Sequence, residues 1–324
     1  MNRKIFLAAL AVAAFGIASI ASAQTFPSRP VTLVSPFPAG SGSDLTARAV
    51  QVGLSEALGQ PVVVENRPGA GGAIGAQYVA KAKNDGYTLF LASLSFSVLP
   101  SLMELNFDPG KDFEAVTLMG QQSMAFVVPP SLPVNSMSDL AALAKSQPGK
   151  LNYASAGNGS IGHLAGELFK NDRSLNIVHV PFKGTPEALT AIMTNEVQMG
   201  LISMPAVEAQ IKAGKVKALA VTGSKRYPGL PEVPTLIESG LPSLSDSVWY
   251  AVLAPAGTPK DVIEKLNAAF RTALAKPATI ERMEGPAKTT PAVSTPQEAT
   301  TYVRAQITKW NGVAAQAGLK PQGK

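Results

Sequence analysis

Residues 151–164, LNYASAGNGSIGHL, constrain the chain more than any other stretch, because they read as a strand, a glycine-rich turn and a helix start in immediate succession. The apolar run 151–155 suits a buried strand. Gly157, Asn158 and Gly159 allow the chain to reverse with positive φ at little steric cost. Ser160 then reads as the N-cap of a helix whose Ile161, Leu164 and Leu168 recur at spacings of three and four. Such a turn leaves unpaired backbone N–H groups at the positive end of a helix, which is a place for an anion. A second copy of this grammar stands near the front of the chain: strand 31–34, then Pro36, Phe37, Pro38, Ala39, Gly40, Ser41 and Gly42 as a turn. Asp44 and Leu45 open the helix that follows, with Ala49 and Val52 expected on its inner face. If the two turns face each other across a cleft, one carboxylate takes donors from both.

Residues 1–23 read as an export signal, with Arg3 and Lys4 before an apolar segment and Ala21-Ser22-Ala23 as the cleavage pattern, so that Gln24 begins the mature chain. The chain of 324 residues has no cysteine, which removes disulfides, thiolate nucleophiles and cysteine metal sites. The remaining length suggests two domains. The formal charge of +6 falls to +4 without Arg3 and Lys4, and the basic residues are scattered. This argues for a mildly basic surface and against nucleic-acid binding.

Along the chain, 31–36 and 61–65 read as parallel strands around a helix over 44–58 that Gly59 stops, and a third strand follows at 88–92. Alternation of this kind predicts an α/β architecture. Further strands are expected at 176–181, 197–202, 216–222 and 248–254, with helices near 138–145, 186–194, 260–275 and 296–317. Thr258 and Pro259 read as N-cap and first residue of the helix over 260–275. Residues 224–242 read as a wrapping loop. The chain is expected to cross between domains near 124–130 and return near 248–254. This gives a first domain of 24–124 plus 253–324 and a second of 125–252.

Competing chemistries find little support. Residues 157–162 match G-x-G-x-x-G, but the strand that follows meets His179 where a dinucleotide fold calls for an acid. His163 and His179 are the only histidines and lack a zinc spacing, so no metal or other cofactor is expected. No G-x-S-x-G elbow occurs, and Ser155 or Ser160 has no announced histidine and acid partners. Asp44 reads as a helix-start carboxylate worth about 0.3–1 kcal/mol.

Nine landmarks in order resemble the Bug-type periplasmic solute receptors of tripartite tricarboxylate transporters. They are Arg29-Pro30, PFPAGSGSD (36–44), ENRPGAGGAIGA (65–76), DGYTL (85–89), LNYASAGNGSIGHLAGELF (151–169), HVPFKGTPEAL (179–189), IKAGKVKALAVTGSKR (211–226), PEVPTLIESGLP (231–242) and APAGTP (254–259). The resemblance implies a two-domain, type II periplasmic-binding-protein fold that closes on a small carboxylate. It implies ligand contacts at Phe37, Pro38, Ala39, Gly40, Ser41 and Gly42, and at Ser155, Ala156, Gly157, Asn158, Gly159 and Ser160, with His163 just behind. Ser93 and Thr185 match positions near the cleft. Two departures stand out. Ser41 replaces a usual glycine, and the family's L-M-F-D-N run is Met199-Gly200-Leu201-Ile202-Ser203 here, so that Ile202 stands where an acid is common.

The resemblance implies a periplasmic carboxylate receptor, not an enzyme, that is a monomer and delivers its ligand to integral-membrane permease subunits. Leu201, Ile202, Ser203 and Met204 would meet the ligand's far end without charge. That favours a mono- or dicarboxylate with an alkyl or aromatic body over an acidic amino acid. A ligand-sensing protein that feeds a signalling partner and a periplasmic hydrolase are the alternatives of other classes.

Overall fold

The computed structural model describes residues 26–316; the expected export signal at 1–23 lies outside them. The backbone builds two mixed sheets. The first joins β1 (Val31–Ser35), β2 (Val62–Asn66), β3 (Thr88–Ser93), β4 (Phe113–Gln122), β10 (Val248–Pro255) and β11 (Thr289–Pro291) in the order β11-β4-β10-β3-β1-β2. The second joins β5 (Met124–Val128), β6 (Asn152–Ser155), β7 (Val178–Pro181), β8 (Met199–Ser203) and β9 (Lys217–Val221) in the order β7-β6-β8-β5-β9. In each sheet three neighbouring strands run parallel, and a fourth, β10 or β5, lies antiparallel beside them.

Helices supply the connections: α1 (Gly42–Leu58), α2 (Ala73–Ala80), α3 (Leu94–Leu102), α4 (Met137–Ser146), α5 (Ile161–Asp172), α6 (Thr185–Met193), α7 (Met204–Lys212), α8 (Lys260–Leu274), α9 (Pro277–Glu284) and α10 (Pro296–Gln316). Parallel strands require such crossovers, which cover the sheet faces with helix stripes. In α1 the buried stripe passes through Ala47, Val50 and Leu54 at helical spacing. Ala49 is buried as expected, but Val52 is 47% exposed, because it lies between the turns of that stripe. Gly59 ends the helix at φ 65°. At α8 the expected cap is shifted by one residue. Pro259 itself takes the N-cap position, and the Thr258 hydroxyl donates to the Pro255 carbonyl.

The chain leaves the six-stranded sheet at Gln122 and enters the other at Met124, so the passage is Ser123 alone. It returns between Val221 and Val248, after a loop without helix or strand over most of its length. A division at 252 would cut β10, all of which belongs to the six-stranded sheet. The antiparallel pairing of Tyr250 with Ser93 and of Val248 with Gln122 holds its first residues there. Sequence reading missed β4, β11, α3, α7 and α9. In α3 the serines and Pro100 mask the helical pattern, while burial of Leu94, Phe96, Val98 and Leu99 enforces it.

The halves also meet away from the passage. Glu208 of α7 accepts from Lys288, just ahead of β11, at 3.0 Å, and also from Lys212 and Tyr227. At another point backbone meets backbone. A Cβ on Gly71 (φ 63°) would stand 2.5 Å from the Gly159 carbonyl carbon and 2.7 Å from the Asn158 oxygen. Gly184 approaches Pro38 in the same way, with a Cβ there 2.8 Å from the proline Cγ. This juxtaposition generates a prediction. Gly71→Ala adds a left-handed strain of about 1–2 kcal/mol to the steric clash, and parting the halves relieves the clash. Small-angle scattering is expected to give a larger radius of gyration than wild type. An unchanged radius in a folded variant would show that the contact does not set the separation of the halves.

Candidate functional site

Between the sheets lies a cavity of about 60 Å³, within about 550 Å³ of empty space that includes open solvent. Its walls follow from a repeated local structure. In the first turn the Ser41 N–H donates to the Pro38 carbonyl at 3.1 Å, and in the second the Ser160 N–H donates to that of Gly157 at 3.1 Å. The residue before each serine is a glycine with positive φ, Gly40 at 79° and Gly159 at 81°. Each serine then takes the same N-cap conformation, φ −73° and ψ 162° for Ser41, φ −74° and ψ 161° for Ser160. Each hydroxyl accepts from the N–H three residues on, that of Asp44 or of His163, at 3.4 Å.

With the third amide of each helix capped, the first and second remain. These belong to Gly42 and Ser43 of α1 and to Ile161 and Gly162 of α5, positions with no partner inside a helix. All four residues and both serines line the cavity. Two helix starts of matched geometry thus face one space, and their dipoles favour negative charge in it. Among the described residues, no Asp, Glu, Lys, Arg or His lines this cavity.

The expected site residues divide accordingly. Phe37, Ser41, Gly42, Ser93, Ala156, Ser160, Thr185, Ile202 and Ser203 are on the wall; Pro38, Ala39, Gly40, Ser155, Gly157, Asn158, Gly159 and His163 do not line it. Several amides of the second group serve the turns themselves. Gly40 N–H donates to Asp44 Oδ2 at 2.9 Å, Gly157 N–H to Ser155 Oγ at 3.1 Å, and Gly159 N–H to His163 Nδ1 at 3.3 Å. A side chain on Gly159 would meet Leu99 of α3 and Met103 just past its end, not the cavity. Asp44, 2% exposed, also accepts from Arg48 and Asn66, so it fastens the first turn.

Gln122 and Tyr250 were not anticipated. Gln122 ends β4 and Tyr250 lies within β10, beside the crossings expected near 124–130 and 248–254, where sequence reading assigns Tyr250 a core or hinge-packing role and no place on the wall. The Gln122 amide nitrogen donates to the Ala287 carbonyl and to Thr289 Oγ1, which fixes its orientation, and Tyr250 Oη donates to Gln122 Oε1 at 3.1 Å. Burial raises the Tyr250 pKa, so the phenol stays neutral. Met124 and Val248 add apolar wall beside Leu201 and Ile202.

Both histidines lie under the second turn. Tyr153, His179 and His163 stack as three rings, with centroids 4.8 and 4.2 Å apart. His179 Nε2 shares a 2.6 Å hydrogen bond with Ser155 Oγ. This pair is not a presented nucleophile. Ser155 is 1% exposed and off the cavity wall, and the nearby carboxylate of Glu167 accepts from Tyr153 Oη at 2.7 Å. Burial lowers the His163 pKa, and burial, with His163 beside it, lowers that of His179 to about 4.

In the unfolded chain a histidine takes its proton near pH 6.5, whereas folded His179 takes it only near pH 4. The unfolded state therefore binds more protons over that window, and stability falls as pH is lowered through it. His179→Gln, which keeps a hydrogen-bonding partner for Ser155, is expected to flatten this decline in melting temperature between pH 6.5 and 4. An equally steep decline would remove His179 as its source.

Two α/β halves around a cavity at their strand ends define a solute-binding protein of the periplasmic-binding-protein class. The chain belongs to the tripartite tricarboxylate transporter receptor family, whose model matches residues 46–319. It is 36% identical over 323 residues to protein BugT of Bordetella pertussis, covering 99% of each chain. The solved periplasmic binding protein BugD superposes with a TM-score of 0.86 at 35% identity, over 92% of this chain and all of that one. The R. palustris protein Rpa4515, solved with adipate, superposes at 0.85 and 35% identity, again over 92% of this chain and all of that one. Receptors of this family are periplasmic solute-binding proteins. Among the described residues, no helix is long and apolar enough to cross a membrane.

Proposed function

We propose that the protein captures a small carboxylate in the periplasm, without altering it, and hands it to the membrane permease of a tripartite tricarboxylate-type transporter. The observation that carries this reading is the pair of matched helix starts facing one cavity that, among the described residues, no charged side chain lines. The proximal carboxylate sits between Gly42 and Ser43 on one side and Ile161 and Gly162 on the other. Ser41 and Ser160 brace the two helix starts. The solved relative with adipate supports the ligand class. Met124, Leu201, Ile202 and Val248 receive an alkyl or aromatic body, at roughly 25 cal/mol per Å² of apolar surface buried.

The working unit in this reading is a monomer whose mature chain starts at Gln24, with halves divided at Ser123 and before Val248 that close on the ligand. Recovery of an unaltered carboxylate from the purified protein by native mass spectrometry tests it. Turnover of that ligand, or failure of every carboxylate to bind, would reject it.

A side chain on Gly42 would stand 2.3 Å from Gln122 Oε1 and 2.9 Å from Tyr250 Oη. Gly42→Ala therefore displaces the helix start or the polar pair. One or two hydrogen bonds to a charged group, about 1.5–3 kcal/mol each, are expected to be lost, weakening binding roughly ten- to a thousandfold. Calorimetry that found wild-type affinity in this variant would move the carboxylate away from α1.

A further inference from the structure

Glu208 lies on α7 with its side chain only 9% exposed, and donors from three segments converge on its carboxylate. Two belong to its own half: Lys212 one turn on, at 2.6 Å, and Tyr227 Oη at 3.1 Å. The third is Lys288 of the other half, at 3.0 Å. The acceptor is therefore held in place by its own half, and Lys288 is the donor that parting the halves removes. Loss of a cation from a buried carboxylate is far more unfavourable than loss of an exposed pair. Asp246 and Lys309 form such an exposed pair, with side chains 28% and 48% exposed. Asp246 stands two residues ahead of β10, so it follows the six-stranded sheet in any rotation.

Both ends of the Glu208–Lys288 pair lead to the ligand cavity. Helix α7 begins directly after Ser203 of the cavity wall. Lys288 precedes Thr289, whose Oγ1 lies 2.9 Å from Thr46 Oγ1 of α1 and accepts from Gln122 Nε2 at 3.1 Å. Gln122 in turn borders two spaces, the cavity of about 60 Å³ that the helix starts face and a wider groove of about 830 Å³. Tyr227 and Lys288 line that groove from opposite halves, and neither Glu208 nor Lys288 lines the cavity.

We propose that Glu208 and Lys288 form a latch that favours the arrangement in which the cavity is narrow, and so sets how tightly and how long the ligand is held. The inference rests on the proposed capture of a carboxylate and adds a determinant of affinity that touches no ligand. A receptor that binds in one arrangement loses apparent affinity in proportion to the fraction of chains that adopt it. Breaking the latch lowers that fraction and leaves every group on the cavity wall in place.

Lys288→Met in the full mature chain tests this, with adipate as the probe. Its dissociation constant is expected to rise about tenfold, mainly through faster release, and small-angle scattering is expected to give a larger radius of gyration without ligand and the wild-type radius at saturation. Lys288→Arg should restore both. In a Glu208→Gln background Lys288→Met should add little, because the two changes break one interaction. Lys309→Met should stay within about twofold of wild type. A Lys288→Met variant with unchanged or tighter binding and an unchanged radius overturns the latch, as does an equal effect of Lys309→Met. Wild type that binds no adipate, with a larger ligand-free radius in Lys288→Met, removes adipate as the cargo and keeps the latch.

Discussion

In the proposed site, an anion lowered between two helix starts meets the backbone N–H groups that their caps leave free, and among the described residues no charged side chain of the wall competes for its charge. Matched cap conformations at Ser41 and Ser160 create this condition, since they hold the serine oxygens on the third amides and leave the first two facing the cavity. Each helix start favours a negative charge by about 0.3–1 kcal/mol at an exposed site and up to about 2 kcal/mol when partly buried. Much of the architecture follows from bringing the two starts together. Each needs a strand ending at the cleft, a glycine turn and an anchored helix, and each half supplies one set.

The glycines serve the approach of the halves as much as the turns. Gly71 and Gly159 let two backbones touch where any side chain would hold them apart. Gly159 has its amide tied back to His163 and its open face against α3. The histidine beneath the turn thus acts as an acceptor for the main chain, and the stacked His179 fixes the strand end through Ser155. Neutral rings suit that task, and burial keeps them neutral.

Much of this was legible in the sequence because the decisive turns are local. A glycine before a serine, followed by an apolar helical period, is enough to place Gly40-Ser41 and Gly159-Ser160 at helix starts. The division of labour within each turn was not legible. Whether the Gly159 amide faces the ligand depends on a histidine four residues on and on α3 from the other half. Gln122 and Tyr250 escaped for the same reason, since their place on the wall follows from strand pairing across 128 positions of chain. Val52 was misplaced because two neighbouring apolar stripes fit α1 until the sheet selects one of them.

The absence of charged side chains from the cavity wall has a bearing on how such a receptor can change. A binding protein that grips its ligand with an arginine can lose that grip through one codon. In the proposed site the donors are main-chain amides, so apart from Gly42, where a side chain meets Gln122 and Tyr250, substitutions at Ile202, Ser203, Met124 or Val248 can reshape the pocket while that hold persists. Diversification of cargo is then separated from the capacity to hold any cargo at all, and a gene duplicate can explore new nutrients without first passing through a form that captures nothing.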